Sequence, residues 1–159
     1  MQRETYQSMV AELSGKVEEI FPWELIEELK TDPELLLLDI RCPHEYEAAN
    51  ISNSINVPRG ILEIAVDFGY EETMPQLVNS RQKRVVVICR SGNRSMLASH
   101  TLKRMGYENV ASLRTGIRGW NDYEQPLFTG EGERLELEVA DKILENRIRP
   151  DQLASRHIS

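Results

Sequence analysis

The chain has 159 residues, of which 40% are hydrophobic and 28% charged, the proportions of one globular domain with modest extensions. Its formal net charge of −7 excludes a general role at nucleic-acid backbones, which require a basic face. No apolar run approaches the ~20 residues of a membrane span, and MQRETYQSMVAELSGK at the N-terminus lacks the apolar centre of a secretory signal.

Glu4 to Lys16 set Tyr6, Met9, Val10 and Leu13 at helical spacing, with Val17 beyond and Gly15 ending the helix. Ile20-Phe21 reads as a short strand. Pro22 then opens a helix, since the first turn does not need its missing N–H, and Leu25, Ile26 and Leu29 form its apolar face. LLLLDIR, Leu35 to Arg41, is apolar on both faces and lies between Pro33 and Pro43. That combination predicts a central parallel strand.

His44 to Ala49 predicts a helical turn or two, and Ser54 to Pro58 another short strand. ILEIAVDF predicts a helix, followed by a loop, GYEETMP. Val85 to Ile88 (VVVI) is the second buried strand, and Ser95 to Met105 an amphipathic helix closed by Gly106. Val110 to Leu113 is the last strand. The charged C-terminal stretch carries a narrow stripe of Val139, Ile143, Leu144 and Ile148, expected to pack on the protein's own body, with a partner contact as the alternative. Strands alternating with helices predict an α/β fold with a parallel sheet covered on both faces. In such sheets ligands bind beyond the carboxyl ends of the strands.

The two cysteines, Cys42 and Cys89, are too few for a disulfide framework, and no CxxC or Cys/His cluster points to zinc. A reducing compartment, the cytoplasm, is expected, with no metal and no cofactor. Cys89 stands where the VVVI strand ends, and Arg90, Ser91, Gly92, Asn93, Arg94 and Ser95 connect it to the next helix. Amides of such a strand-to-helix turn can converge into an anion nest at the positive end of the helix. Gly92 and Asn93 tolerate the left-handed backbone that the curl requires. A nest of this kind favours thiolate, the nucleophilic form of a thiol. Two reaction classes fit: phosphoryl transfer through a cysteinyl phosphate and sulfur transfer through a cysteine persulfide. A phosphoryl group has three peripheral oxygens and needs a wide cradle. The loop is C-x4-R, one residue shorter than the C-x5-R of cysteine phosphatases, which favours the smaller sulfane sulfur.

LLLLDIRCPHEYEAANISNSINVP resembles the first signature of the single-domain rhodaneses, thiosulfate- or persulfide-dependent sulfurtransferases. VVVICRSGNRSMLASHTLKRMGYENVASLRTGIRGW resembles their active-site strand, loop and helix with the closing glycine-tryptophan motif. The resemblance implies a rhodanese-like domain over residues 20–127 with a five-stranded parallel sheet, a helical extension at 1–19 and a charged helical extension at 128–159. It implies that Cys89 takes a sulfane sulfur from a small anionic donor (thiosulfate, polysulfide or persulfide) and passes it to a thiol, a cyanide-like acceptor or a protein. No nucleic-acid or membrane partner is implied, and the oligomeric state is left open. Amides from Arg90 to Ser95 would stabilise the persulfide, Arg90 would reach the donor, and Arg94 would brace the loop toward the Asp39 region. The chain departs from the family at Asn50-Ile51-Ser52-Asn53, where a histidine-isoleucine and a proline-glycine pair are usual, and at Thr115-Gly116, where two glycines are usual.

Other residues have plainer readings. Asp39 and Arg41 are expected to form an ion pair that fixes the end of their strand, supporting the site rather than reacting. Cys42 is expected to be a spectator thiol, the alternative being a thiol that resolves the persulfide. Cys42 and His44 are too few for a metal site. His100 is expected as a partly exposed helix residue, the alternative being a general base, and Trp120 in the core. Arg59, Arg114 and Arg118 are expected at the solvated surface, with a rim of the pocket as the alternative.

Overall fold

The computed structural model describes residues 2–154. Five parallel strands form one sheet: β1 (Glu18–Ile20), β2 (Leu36–Asp39), β3 (Ser54–Asn56), β4 (Arg84–Ile88) and β5 (Asn109–Leu113), in the spatial order β1-β5-β4-β2-β3. The helices are α1 (Tyr6–Glu12), α2 (Pro22–Thr31), α3 (Pro43–Ala48), α4 (Leu62–Ala65), α5 (Pro75–Val78), α6 (Arg94–Arg104), α7 (Gly116–Asp122) and α8 (Leu137–Ile143). This is the expected α/β architecture. No helix among the described residues is long and apolar enough to cross a membrane.

The sheet has a core on each face because side chains alternate along a strand. Leu36, Leu38, Val85 and Val87 join Leu62, Leu77 and Leu102 on one side. Leu37, Val86, Ile88 and Leu113 join Leu25, Ile117 and Trp120 on the other. A strand buried on both faces needs an unbroken apolar run, which explains LLLL and VVVI. Cys89 continues the first face, at 1% exposure. A small third cluster, Leu13, Val17 and Met96 with Val10 and Leu97, seats α1 against the start of α6.

Three elements differ from the sequence expectation. The ILEIAVDF helix is a 3-10 turn at Arg59–Ile61 and one turn of α4. Tertiary donors capture the carbonyls that would continue it: Met74 N–H bonds Ala65 O at 2.9 Å and Arg81 Nη2 bonds Val66 O at 2.8 Å. In α1, Tyr6 and Met9 are exposed at 49% and 41%, so only Val10 and Leu13 of the expected face pack. In the C-terminal segment, Val139 and Ile148 are exposed, while Ala140 and Leu144 enter the second core with Leu127 and Trp120. The segment is also tied down by reciprocal backbone bonds between Asn50 and Phe128, at 2.8 and 2.9 Å.

Candidate active site around Cys89

β4 ends at Ile88 and α6 begins at Arg94, so the Cys89 loop occupies the carboxyl edge of the sheet. Its backbone outside the curl is already committed. The carbonyl of Cys89 accepts from Ile117 N–H at 2.9 Å, and that of Arg90 from Arg118 N–H at 3.0 Å. With both carbonyls turned toward α7, amides of the loop can turn inward. Gly92 N–H donates to Cys89 Sγ at 3.1 Å and Ser95 N–H at 3.3 Å. Ser95 Oγ lies 3.3 Å from the same sulfur and 2.6 Å from Ser112 Oγ on β5. Sulfur thus sits in a cup whose two amides donate to it, an arrangement that complements negative charge, while its thiol donates to Ser95 Oγ.

The curl rests on two glycines. Gly92 has φ +91°, and a Cβ there would lie 2.9 Å from the Thr115 nitrogen. Gly116 has φ +64°, and a Cβ there would collide with the carbonyls of Cys89 and Arg90. The expectation of a second left-handed residue at Asn93 is corrected: Asn93 is right-handed at φ −96°, and Gly92 makes the turn alone. Thr115, where the family usually has glycine, is left-handed at φ +71°. For a β-branched residue that conformation costs about 1–2 kcal/mol. Asn53, at the other departure, is also left-handed at φ +64°, a conformation asparagine accepts readily.

Around the cup the arginines divide their work. Arg41 pairs bidentately with Asp39, Nη2 to Oδ2 at 2.7 Å and Nε to Oδ1 at 3.0 Å, with both residues at most 1% exposed. Arg41 Nη2 also donates to Ala49 O at 2.6 Å, tying the end of β2 to the end of α3. Arg94 does not reach toward Asp39, a correction to the sequence expectation. Asp39 is fully engaged by Arg41, so Arg94 instead holds Glu45 of α3 by two bonds, 3.0 and 2.9 Å. Glu45 also accepts from Cys42 N–H at 3.0 Å, which closes the first turn of α3. Arg90 is half-buried, and among the described residues its guanidinium makes no hydrogen bond. Ser91 and Asn93 are exposed.

Glu45 shows how the brace is held. Burial pushes its carboxyl upward, but the Arg94 hydrogen bonds, the Cys42 amide and the charges of Arg94 and Arg41 prevail and hold it at about 2, below its ordinary 4.5. A carboxyl lowered by folding contributes stability above its unfolded value and loses it as pH falls toward the folded one. The contribution is therefore full above pH ~5 and gone near pH 2; with solvent screening at this partly exposed site it amounts to about 1 kcal/mol. Glu45→Gln should lower stability by about that much at pH 7 and flatten the acid limb of a urea-unfolding series between pH 5 and 2.

Sequence reasoning missed two residues at this site. Glu45 was visible only as one of the two carboxylates in HEYEAA. Tyr6 was visible only as one apolar residue at helical spacing in α1. Its phenol titrates above the ordinary tyrosine range, chiefly through partial burial and next through the charge of Cys89, opposed by Arg94 and Arg90. Those neighbours, with Val10 and Leu13 packed on the start of α6, put Tyr6 beside the loop. Among the described residues, none of the remaining candidates has a side chain that bonds the Cys89 sulfur, although His44 lines the cavity that Arg90 also lines. Cys42 and His44 are exposed, Cys42 is unpaired, and no cluster of three metal-ligating side chains occurs among the described residues. His100 is half-buried, and Trp120 is in the core with its N–H on Pro126 O at 3.1 Å. Arg59 bonds Glu63 and Thr101, Arg114 stacks over the Phe21 ring at 5.0 Å, and Arg118 is exposed.

Comparison with known proteins gives the same picture. A mitochondrial thiosulfate sulfurtransferase candidate of Schizosaccharomyces pombe is 33% identical over 129 residues, covering 77% of this chain and 88% of that one. A sulfurtransferase of Allochromatium vinosum is 33% identical over 116 residues, covering 73% and 99%. Among solved structures, a Rhodopseudomonas palustris protein of unknown function, described as a possible tyrosine phosphatase, superposes with a TM-score of 0.72 at 28% identity, covering 80% of this chain and 96% of that one. The rhodanese-like domain pattern matches residues 22–123, from the first residue of α2 to just past α7. The chain belongs to the rhodanese-like domain family.

Proposed function

We propose that the protein is a sulfurtransferase that carries a sulfane sulfur as a persulfide on Cys89. The observation that carries this reading is the small cup itself: one sulfur atom at the bottom of a C-x4-R loop, held by the Gly92 and Ser95 amides at 3.1 and 3.3 Å. The Cys89 thiolate attacks the outer sulfur of a donor such as thiosulfate. The donor S–S bond breaks, sulfite leaves with the bonding electron pair, and Cys89–S–S⁻ remains. An acceptor nucleophile, a thiolate or cyanide, then attacks the terminal sulfur and Cys89 leaves as thiolate. Electrons balance without an outside oxidant or reductant.

Each neighbour has a part in that sequence. Loop amides take up the charge on sulfur in both thiolate and persulfide. Arg90, a half-buried guanidinium with no hydrogen-bond partner among the described residues, attracts the anionic donor. Arg94 and Glu45 hold the loop to α3, and Asp39 with Arg41 fixes the floor beneath it. Two unpaired cysteines suit a reducing compartment such as the cytoplasm. A protein acceptor fits the same chemistry as a small thiol.

The competing reading is a thiol phosphatase, in keeping with the description of the Rhodopseudomonas structure. The shortness of the loop disfavours it. Purified protein assayed in parallel should form thiocyanate from thiosulfate and cyanide and leave p-nitrophenyl phosphate intact. Phosphate release without thiocyanate formation would reverse the assignment. Cys42→Ser should leave thiocyanate formation within about twofold of wild type, since its thiol is exposed and its backbone N–H, which bonds Glu45, is kept by serine. A greater loss would assign Cys42 to the transfer.

A further inference from the structure

The family match ends at residue 123, yet the cavity that flanks the Cys89 loop at Arg90 is walled by a segment that lies beyond it. A cavity of about 580 Å³ adjoins the loop at Arg90. Arg41 and Glu45 line one side. The chain leaving α8 lines the other, including Glu145, Arg147 and Ile148.

Its size does not suit an inorganic donor. Cavities that hold small organic molecules run about 300–1,000 Å³, and a small tetrahedral ion such as thiosulfate leaves most of this one empty. Its charges are equally informative. Arg41 is spent on Asp39, and Glu45 on Arg94. Arg90 makes no side-chain bond among the described residues, and Arg147 spends one N–H on Lys142 O at 3.1 Å. Among the described residues that line the cavity, two guanidiniums and the His44 imidazole therefore remain for a ligand, against the one unpaired carboxylate of Glu145. Ile148, 54% exposed, supplies apolar surface on the same wall.

We propose that the segment from Ile143 to Leu153 is a specificity wall, selecting an organic thiol that carries a carboxylate as the sulfur acceptor. Arg90 and Arg147 hold the carboxylate and Ile148 covers the carbon skeleton. This rests on the persulfide reading of Cys89. In the step it serves, the acceptor thiolate R–S⁻ attacks the terminal sulfur of Cys89–S–S⁻. The bond from that sulfur to Cys89 breaks, R–S–S⁻ leaves, and the Cys89 thiolate returns to the Gly92 and Ser95 amides. Charge and electrons are conserved.

The test uses the full-length protein with Cys89 loaded from thiosulfate and then discharged to mercaptosuccinate, 2-mercaptoethanol or cyanide. Arg147→Gln should lower the ratio of the mercaptosuccinate rate to the cyanide rate about five- to tenfold, the effect of losing one charge-assisted contact. Ile148→Ser should lower the same ratio about threefold. Loading by thiosulfate, itself a dianion, reads any general loss of positive field. Arg147→Gln must slow discharge to mercaptosuccinate more than it slows loading. Equal slowing of all steps, or unchanged ratios in both variants, overturns the specificity wall and leaves the persulfide reading intact. Wild-type protein that accepts no sulfur from thiosulfate, polysulfide or an organic persulfide overturns both.

Discussion

Cys89→Ser is expected to abolish sulfur transfer, with a fall of at least ~1,000-fold in thiocyanate formation, because the oxygen that replaces sulfur cannot carry a sulfane sulfur and is a far weaker nucleophile at neutral pH. The fold should be nearly untouched. Serine differs from cysteine by one atom, and the hydroxyl inherits the bonds from Gly92 and Ser95 that sulfur receives. Thermal unfolding should therefore shift by no more than the equivalent of ~1 kcal/mol. Residual activity above background in this variant, with unfolding unchanged, would move the chemistry to another group.

The second large effect belongs to stability. Asp39→Ala removes the carboxylate that pairs with Arg41, a guanidinium 1% exposed at the end of β2. An uncompensated buried charge costs about 3–5 kcal/mol, a large part of the ~5–15 kcal/mol that holds a domain of this size together. Urea unfolding should show the midpoint falling accordingly. Adding Arg41→Met to Asp39→Ala should recover much of the loss, since no charge is then left buried. A single variant as stable as wild type would mean that Arg41 finds water or another anion. Comparison with Glu45→Gln then ranks the two braces: the Asp39 pair is closed to solvent, while Arg94 and Glu45 have side chains 32% and 21% exposed and are worth less.

Much of this was legible in the sequence because it depends on local rules. Leu36 to Asp39 and Val85 to Ile88 are buried on both faces, so their apolar runs could be placed as central strands. The Cys89 loop announced itself by composition: glycine at the one left-handed position and an N-terminal helix turn immediately after. Spacing from Cys89 to Arg94 is what favours sulfur over phosphate chemistry in the proposed function. The ion pair of Asp39 with Arg41 was also readable, since two residues along one chain share an edge.

What was not legible depends on contacts across the fold. Arg94 pairs with Glu45, a residue 49 positions away, and nothing in either neighbourhood names the other. The loss of the expected ILEIAVDF helix comes from Met74 and Arg81 claiming its carbonyls. The C-terminal stripe packs only in part, through Ile143 and Leu144, because α8 has only seven residues. So short a helix is oriented by the surface it meets, and Ala140 with Leu144 turned inward in place of Val139. Tyr6 stands beside the loop only because Val10 and Leu13 dock on Met96 and Leu97. For the same reason the cavity next to Arg90 could not be foreseen: its two walls are more than 90 residues apart in the chain.

The central claim is that Cys89 carries a sulfane sulfur, and intact-mass spectrometry after incubation with thiosulfate or polysulfide tests it most directly. Wild-type protein and Cys42→Ser should each gain the mass of one sulfur atom, removed by cyanide, while Cys89→Ser gains none. No adduct with any sulfane donor, or an adduct that persists in Cys89→Ser, would contradict it.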